Sequence, residues 1–186
     1  MGATKAEPMT HAANVRNDLN RLISACSGEL RALEAAMRVF GSDPRAEQLK
    51  YYHRRRSSAR TDLCAAVIGL GGAPKRSASL GSRLTSALRW IPSFAAGPND
   101  GDTLSVVARA SDTTELAYWK ASSKLLPDHL RAFVARQYEE VQQDSRDLWR
   151  MRWGGSVPPA PSESPASPDS DQPAPPLLGE WVPTGA

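Results

Sequence analysis

The sequence predicts an all-α fold, an antiparallel four-helix bundle with a short amphipathic crossover helix and a disordered C-terminal tail. Three observations carry this reading. Apolar residues recur at three- and four-residue intervals through four long stretches, the period of a helix with one buried face. Glycine and proline punctuation falls between those stretches. No run alternates apolar with polar β-branched residues as a half-buried strand would. The boundaries read as a flexible N-terminus over 1–9, the bundle over 10–153 and the tail over 154–186.

The first helix is expected from about Thr10 to Phe40. Val15, Leu19, Leu22, Cys26, Leu30, Leu33, Met37 and Phe40 form its stripe, with Arg16, Arg21, Arg31, Glu34 and Arg38 off it. Gly41-Ser42-Asp43-Pro44 then closes one helix and opens another: glycine suits the position after a helix, Asp43 caps, and Pro44 fits the first turn. The second helix is expected over Pro44 to Leu70 on the stripe Leu49, Tyr52, Arg56, Ala59, Leu63, Ala66 and Leu70. So short a link makes the pair an antiparallel hairpin, with Leu30 near Arg56 and Cys26 near Ala59 and Arg60. That register places Cys64 a turn away from Cys26, so no disulfide is expected.

After a loop at 75–79, Leu80, Leu84, Leu88 and Ile91, with Trp90 and Phe94 alongside, mark a short amphipathic helix over Leu80 to Phe94 that covers one end of the bundle and that Pro92 ends or kinks. The third helix is expected over Thr103 to Leu126, capped by Asp102, with Leu104, Val107, Ser111, Glu115, Tyr118, Ser122 and Leu125 inward. Pro127 breaks the chain. Asp128 caps a fourth helix running to Trp153, its stripe being Leu130, Phe133, Val134, Tyr138, Val141, Leu148 and Trp149. Up-down-up-down is the economical order, with 82–98 as the one longer crossing.

Charge is divided along the chain. All 23 Lys and Arg precede Gly154, while four of the 20 acidic residues (Glu163, Asp169, Asp171, Glu180) follow it. The body therefore carries a net +7 and the tail −4. Nine of the 15 prolines lie between Pro158 and Pro183, a composition that buries too little apolar surface to offset ordering entropy. The tail nevertheless ends in an apolar cluster, Leu177, Leu178, Trp181 and Val182, which is a candidate docking peptide for a protein partner. The opening MGATKAEPMTHAANVRNDLNRL has no apolar core of a secretory signal, and no stretch approaches the ~18 apolar residues of a membrane span. The expectation is a cytoplasmic protein with both cysteines, Cys26 and Cys64, as reduced, small core residues.

The order of these features resembles a family of small bacterial proteins. The string LNRLISAC, the break at GSDP, the helix ending in LGGAP, the amphipathic stretch closing in GPND and the late helix RAFVARQYEEV are similar to a ferritin-like four-helix-bundle family whose domain has no assigned function. The resemblance covers about Asn14 to Trp153. It implies the bundle fold and no particular activity. That family's acidic positions correspond to Leu30, Ser58, Ala108 and Ser111 here, and its late histidine to Ser145, while Asp62 and Glu140 match.

The residues themselves offer little chemistry. A di-iron bundle needs inward glutamates and Glu-x-x-His on two helices, and no Glu here has a His three residues later. His11, His53 and His129 lie near helix starts or on a basic run. Asp62, Glu115 and Glu140 are the carboxylates left as candidate metal ligands. Arg54, Arg55, Arg56 and Arg60, beside Tyr51 and Tyr52, are the candidate nucleic-acid or anion contacts. Successive helical residues point around the axis, however, so nucleic acid is not the expected partner. There is no phosphate-binding loop, no CxxC and no nucleophile–base pair. The reading is a non-enzymatic bundle without cofactor, acting through self-association or a protein partner. Metal binding through the residual carboxylates and nonspecific nucleic-acid binding are the alternatives.

Overall fold

The computed structural model describes residues 6–75 and 100–155. The amphipathic segment at 80–94 and the tail beyond Gly155 lie outside the described residues. Four helices make up the described chain: α1 (Ala6–Phe40), α2 (Pro44–Gly69), α3 (Asp100–Ser122) and α4 (Asp128–Arg152). None of them is long and apolar enough to cross a membrane.

Local chemistry sets the boundaries. Gly41 ends α1 at φ 55°, a conformation that costs a side chain but not glycine. Asp43 then accepts the Arg45 amide at 2.8 Å as the N-cap of α2, with Pro44 in the first turn. Gly71, at φ 68°, closes the far end. Two expected caps are different. Asp102 lies inside the first turn of α3, which begins at Asp100, and Asp128 is inside α4, whose cap position is Pro127 with no side-chain bond. Both aspartates still sit where the helix dipole favours negative charge.

The four helices surround a shared core, each antiparallel to its neighbours. Arg16 reaches the Gly71 carbonyl (3.3 Å), which pairs the early part of α1 with the end of α2. Asp18 meets Lys124 just past α3 (3.2 Å), and Ser145 donates to Asp112 (2.7 Å) between α4 and α3. α1 is therefore antiparallel to both α2 and α3. This corrects the expected alternation: the order is up-down-down-up. The reason lies in the ends of the crossing. Lys75 is held at Asn20 (2.7 Å), whereas Asp100 is held at Arg45 (2.6 Å) at the opposite end. Lys75 and Asp100 therefore lie at opposite ends of the bundle, ~30 Å apart over the 20 helical steps of α1 from Asn20 to Phe40.

The buried faces follow a stricter rule than the apolar residues suggest. In α1 the inward residues include Val15, Leu19, Leu22, Cys26, Glu29, Leu33, Ala36 and Phe40, alternating in steps of four and three. Leu30 and Met37 are only half-buried. In α3 the inward residues include Leu104, Val107, Ser111, Thr114, Tyr118 and Ala121, and in α4 Leu130, Val134, Gln137, Val141, Asp144, Leu148 and Met151, with Thr103, Ala108, Ser145 and Asp147 buried at their flanks. Glu115 and Ser122, expected inward, are half-buried, and Leu125 is 81% exposed on the connection to α4. This alternation is the heptad seam of helices packed at a shallow angle.

Candidate functional site

The inward polar residues collect at one level. The apolar interior divides into two clusters, one built on Leu19, Leu22, Leu63, Tyr118 and Val134, the other on Leu33, Leu49, Tyr52, Leu104 and Leu148. Between them lies a polar layer to which every helix contributes: Glu29 from α1, Arg56 from α2, Ser111 and Thr114 from α3, Asp144 and Ser145 from α4. Arg56 is its centre. Its Nε lies 2.8 Å from Glu29 Oε2, and its terminal nitrogen 3.3 Å from Asp144 Oδ2, with all three side chains almost wholly buried. Arg55 closes the layer toward solvent, binding Asp144 at 2.7 Å and Glu140 at 3.4 Å. The Arg55 pairs and the Arg56–Asp144 pair join α2 to α4, and Arg56–Glu29 joins α2 to α1.

The contacts are unequal in quality. Glu29 and Arg56 meet by distance, but the Nε–H does not point at the carboxylate. Among the described residues neither Glu29 oxygen, nor Ser111 Oγ, nor Gln137 Oε1 has a hydrogen-bond partner. A buried polar atom without one normally costs ~1–3 kcal/mol. Burial disfavours the charge on Arg56, but Glu29 foremost opposes it, and the guanidinium stays protonated. For Asp144 the balance reverses. Burial pushes the carboxyl up to about 7, against Arg55 and Arg56, which hold it down. Cys26, bonded to Tyr118 at 3.6 Å, is pushed up to about 11, chiefly by burial. It is a thiol and a poor nucleophile at neutral pH.

The sequence-predicted candidates are dispersed by this geometry. Asp62 is exposed on α2. Glu115 is half-buried and accepts from Gln142 at 3.3 Å, and Glu140 is paired with Arg55. The structure does not bring the three together, and among the described residues no group of three or more His, Cys, Asp or Glu is placed to hold a metal ion. Of the arginine run, Arg54 is exposed, Arg55 and Arg56 are turned into the ionic layer, and Arg60 donates to Ser27 at 2.8 Å. His53 faces Glu34 at 3.3 Å. The docking cluster Leu177, Leu178, Trp181 and Val182 lies outside the described residues.

Sequence reasoning placed Arg56 inward but missed Glu29, Thr114, Gln137 and Asp144. The signal was the four–three alternation, which runs through these polar positions without interruption. The expected stripes step aside from it to Leu30, Glu115 and Tyr138.

The outer surface carries a second feature. Leu116 and Trp119 are 49% and 53% exposed. Three residues apart on α3, they are neighbours on its surface. Lys120 is exposed beside Trp119, Arg109 is exposed two turns before Leu116, and Leu125 projects just past the helix end. Beyond Leu125 a cleft of about 540 Å³ opens against α1, where Asp18 bridges Arg21 (2.9 Å) and Lys124 (3.2 Å). No protein-family model, curated protein or solved structure matches the chain.

Proposed function

We propose that the chain is a non-enzymatic helical-bundle protein that works by association, with the Leu116–Trp119 face of α3 as its contact surface. One observation carries this reading: a large aromatic and a leucine stand adjacent and half-exposed on a helix whose opposite face is fully used by the core. Isolated exposed apolar residues are ordinary, but adjoining ones, tryptophan above all, are the type that anchors interfaces. The interior supports the same view. Its acids and arginines face one another across the polar layer rather than an open cavity, so their charge holds helices together. The up-down-down-up order of the helices is also that of ferritin-like bundles, in keeping with the resemblance noted from the sequence.

Sedimentation velocity over a wide concentration range tests the proposal. The chain should sediment faster as concentration rises, and Trp119→Ser should abolish that dependence while leaving the helical circular dichroism unchanged. If the chain and the variant sediment alike at every concentration, the α3 face is not a contact surface.

A further inference from the structure

The association surface and the tail fit one another, which identifies a first occupant for that surface. We propose that the apolar tip of this same chain, Leu177, Leu178, Trp181 and Val182, docks on the Leu116–Trp119 face of α3 and competes with association there. This rests on reading that face as a contact surface.

Reach is the first argument. The described chain ends at Gly155, one turn past Arg152, and the Arg152 guanidinium donates to Ser105 near the start of α3. Leu116 and Trp119 lie 11 and 14 residues further along that helix, ~17–21 Å at 1.5 Å per residue. Residues 156–176 separate Gly155 from Leu177. A flexible chain of that length has an end-to-end distance of roughly 25 Å, and a fully extended polyproline one ~65 Å. The tip thus reaches the face without strain, and a flexible span matched to the separation gives a millimolar-range effective concentration.

Charge is the second argument. The segment after Gly155 has acidic residues and no basic ones, whereas the outward stripe of α3 presents exposed Arg109 and Lys120 on either side of Leu116. Glu180 directly precedes Trp181 in the tip, as Lys120 directly follows Trp119 on the helix. Opposite charges beside paired apolar groups steer docking and fix its register. Val39 and Trp153, also exposed, have no exposed large hydrophobic residue three or four positions away.

Full-length protein labelled with 5-fluorotryptophan tests the contact by fluorine NMR. Its five tryptophans give separable signals, and Trp119→Phe and Trp181→Phe assign the two that matter. Leu177→Ser with Leu178→Ser should shift both the Trp119 and Trp181 signals toward solvent-exposed values, at every concentration below the onset of association, and leave Trp149 in place. The same variant should begin to associate at lower concentration than the unmodified chain. An unmoved Trp119 signal overturns the proposal. A Trp119 shift that grows with concentration overturns it too, because the tip then docks on a second copy. If neither form associates while the Trp119 shift persists, the association reading fails and the contact stands.

Discussion

Replacing Arg56 with methionine should remove about 4 kcal/mol of stability. Methionine fills much of the same volume but leaves Glu29 and Asp144 facing one another with their shared cation gone. Asp144 keeps Arg55 at 2.7 Å. Glu29 keeps no ion pair among the described residues, and its side chain has no exposure to water. Breaking a buried pair from one side typically costs ~3–5 kcal/mol, because an uncompensated charge is left behind. Glu29 should account for most of that. In a chain of this size about 4 kcal/mol corresponds to roughly 10 °C in melting temperature. Urea denaturation followed by circular dichroism at pH 7.5 reads the loss directly. A second variant separates charge from packing: adding Glu29→Leu to Arg56→Met removes the stranded carboxylate and should recover more than half of the deficit. If Arg56→Met alone costs under ~1 kcal/mol, the reasoning fails, because water must then reach the layer. If the double variant is as unstable as the single one, the loss is one of shape and not of charge.

Other consequences concern single groups. Asp144 has its carboxyl at about 7 in the fold against an ordinary 3.8, so the folded chain holds a proton that the unfolded chain releases between those values. Its stabilising contribution is complete below pH 3.8 and is lost as pH rises through 7, at most about 4 kcal/mol. The stability of the unmodified chain minus that of Asp144→Asn should therefore fall from pH 5 to pH 8 in urea titrations, and a flat or rising difference refutes the assignment. Ser111→Ala removes a buried hydroxyl with no partner among the described residues, and should raise stability by about 1 kcal/mol. A lower urea midpoint would show that the hydroxyl is satisfied. An aromatic disulfide reagent should titrate one thiol per chain, the half-buried Cys64, and a second only in denaturant. Rapid reaction of both thiols in the native chain would contradict the burial of Cys26.

Much of the fold is legible from punctuation. Gly41, Asp43 and Pro44 mark the first hairpin to the residue, because each does a job that few other residue types do: left-handed backbone, amide capping, a fixed first-turn φ. The direction of α3 is less legible. Economy of linkage favours alternation, and it takes contacts between helices, Arg45 with Asp100 at one end and Asp18 with Lys124 at the other, to show that α3 runs parallel to α2. The polar layer is the least legible. Hydropathy scanning treats Glu29 and Asp144 as surface by type, although their spacing from Cys26, Leu33, Val141 and Leu148 places them on the seam. A charged residue is buried when a partner meets it, and that partner comes from another helix, at a distance in sequence that no local pattern records.

The layer also explains how four similar seams find one register. Along α1 and α4 the apolar levels are nearly interchangeable. A slip of one heptad, ~10 Å, would still set leucine against valine and cost little in burial. It would, however, carry Asp144 away from Arg55 and Arg56, and set the buried guanidinium of Arg56 against an apolar turn. The uncompensated charge, worth ~3–5 kcal/mol, is comparable to a large part of the total stability of a domain this size. A single polar position fixes alignment in paired helices by the same logic. Alignment matters here beyond the core. Leu116 and Trp119 belong to α3, and their height relative to Arg152 and the departing tail is set by how far α4 has slid along it. Ser145 and Trp149 of α4, both donating to Asp112 of α3, tie that helix to the same alignment and so set where on the outside the apolar face stands.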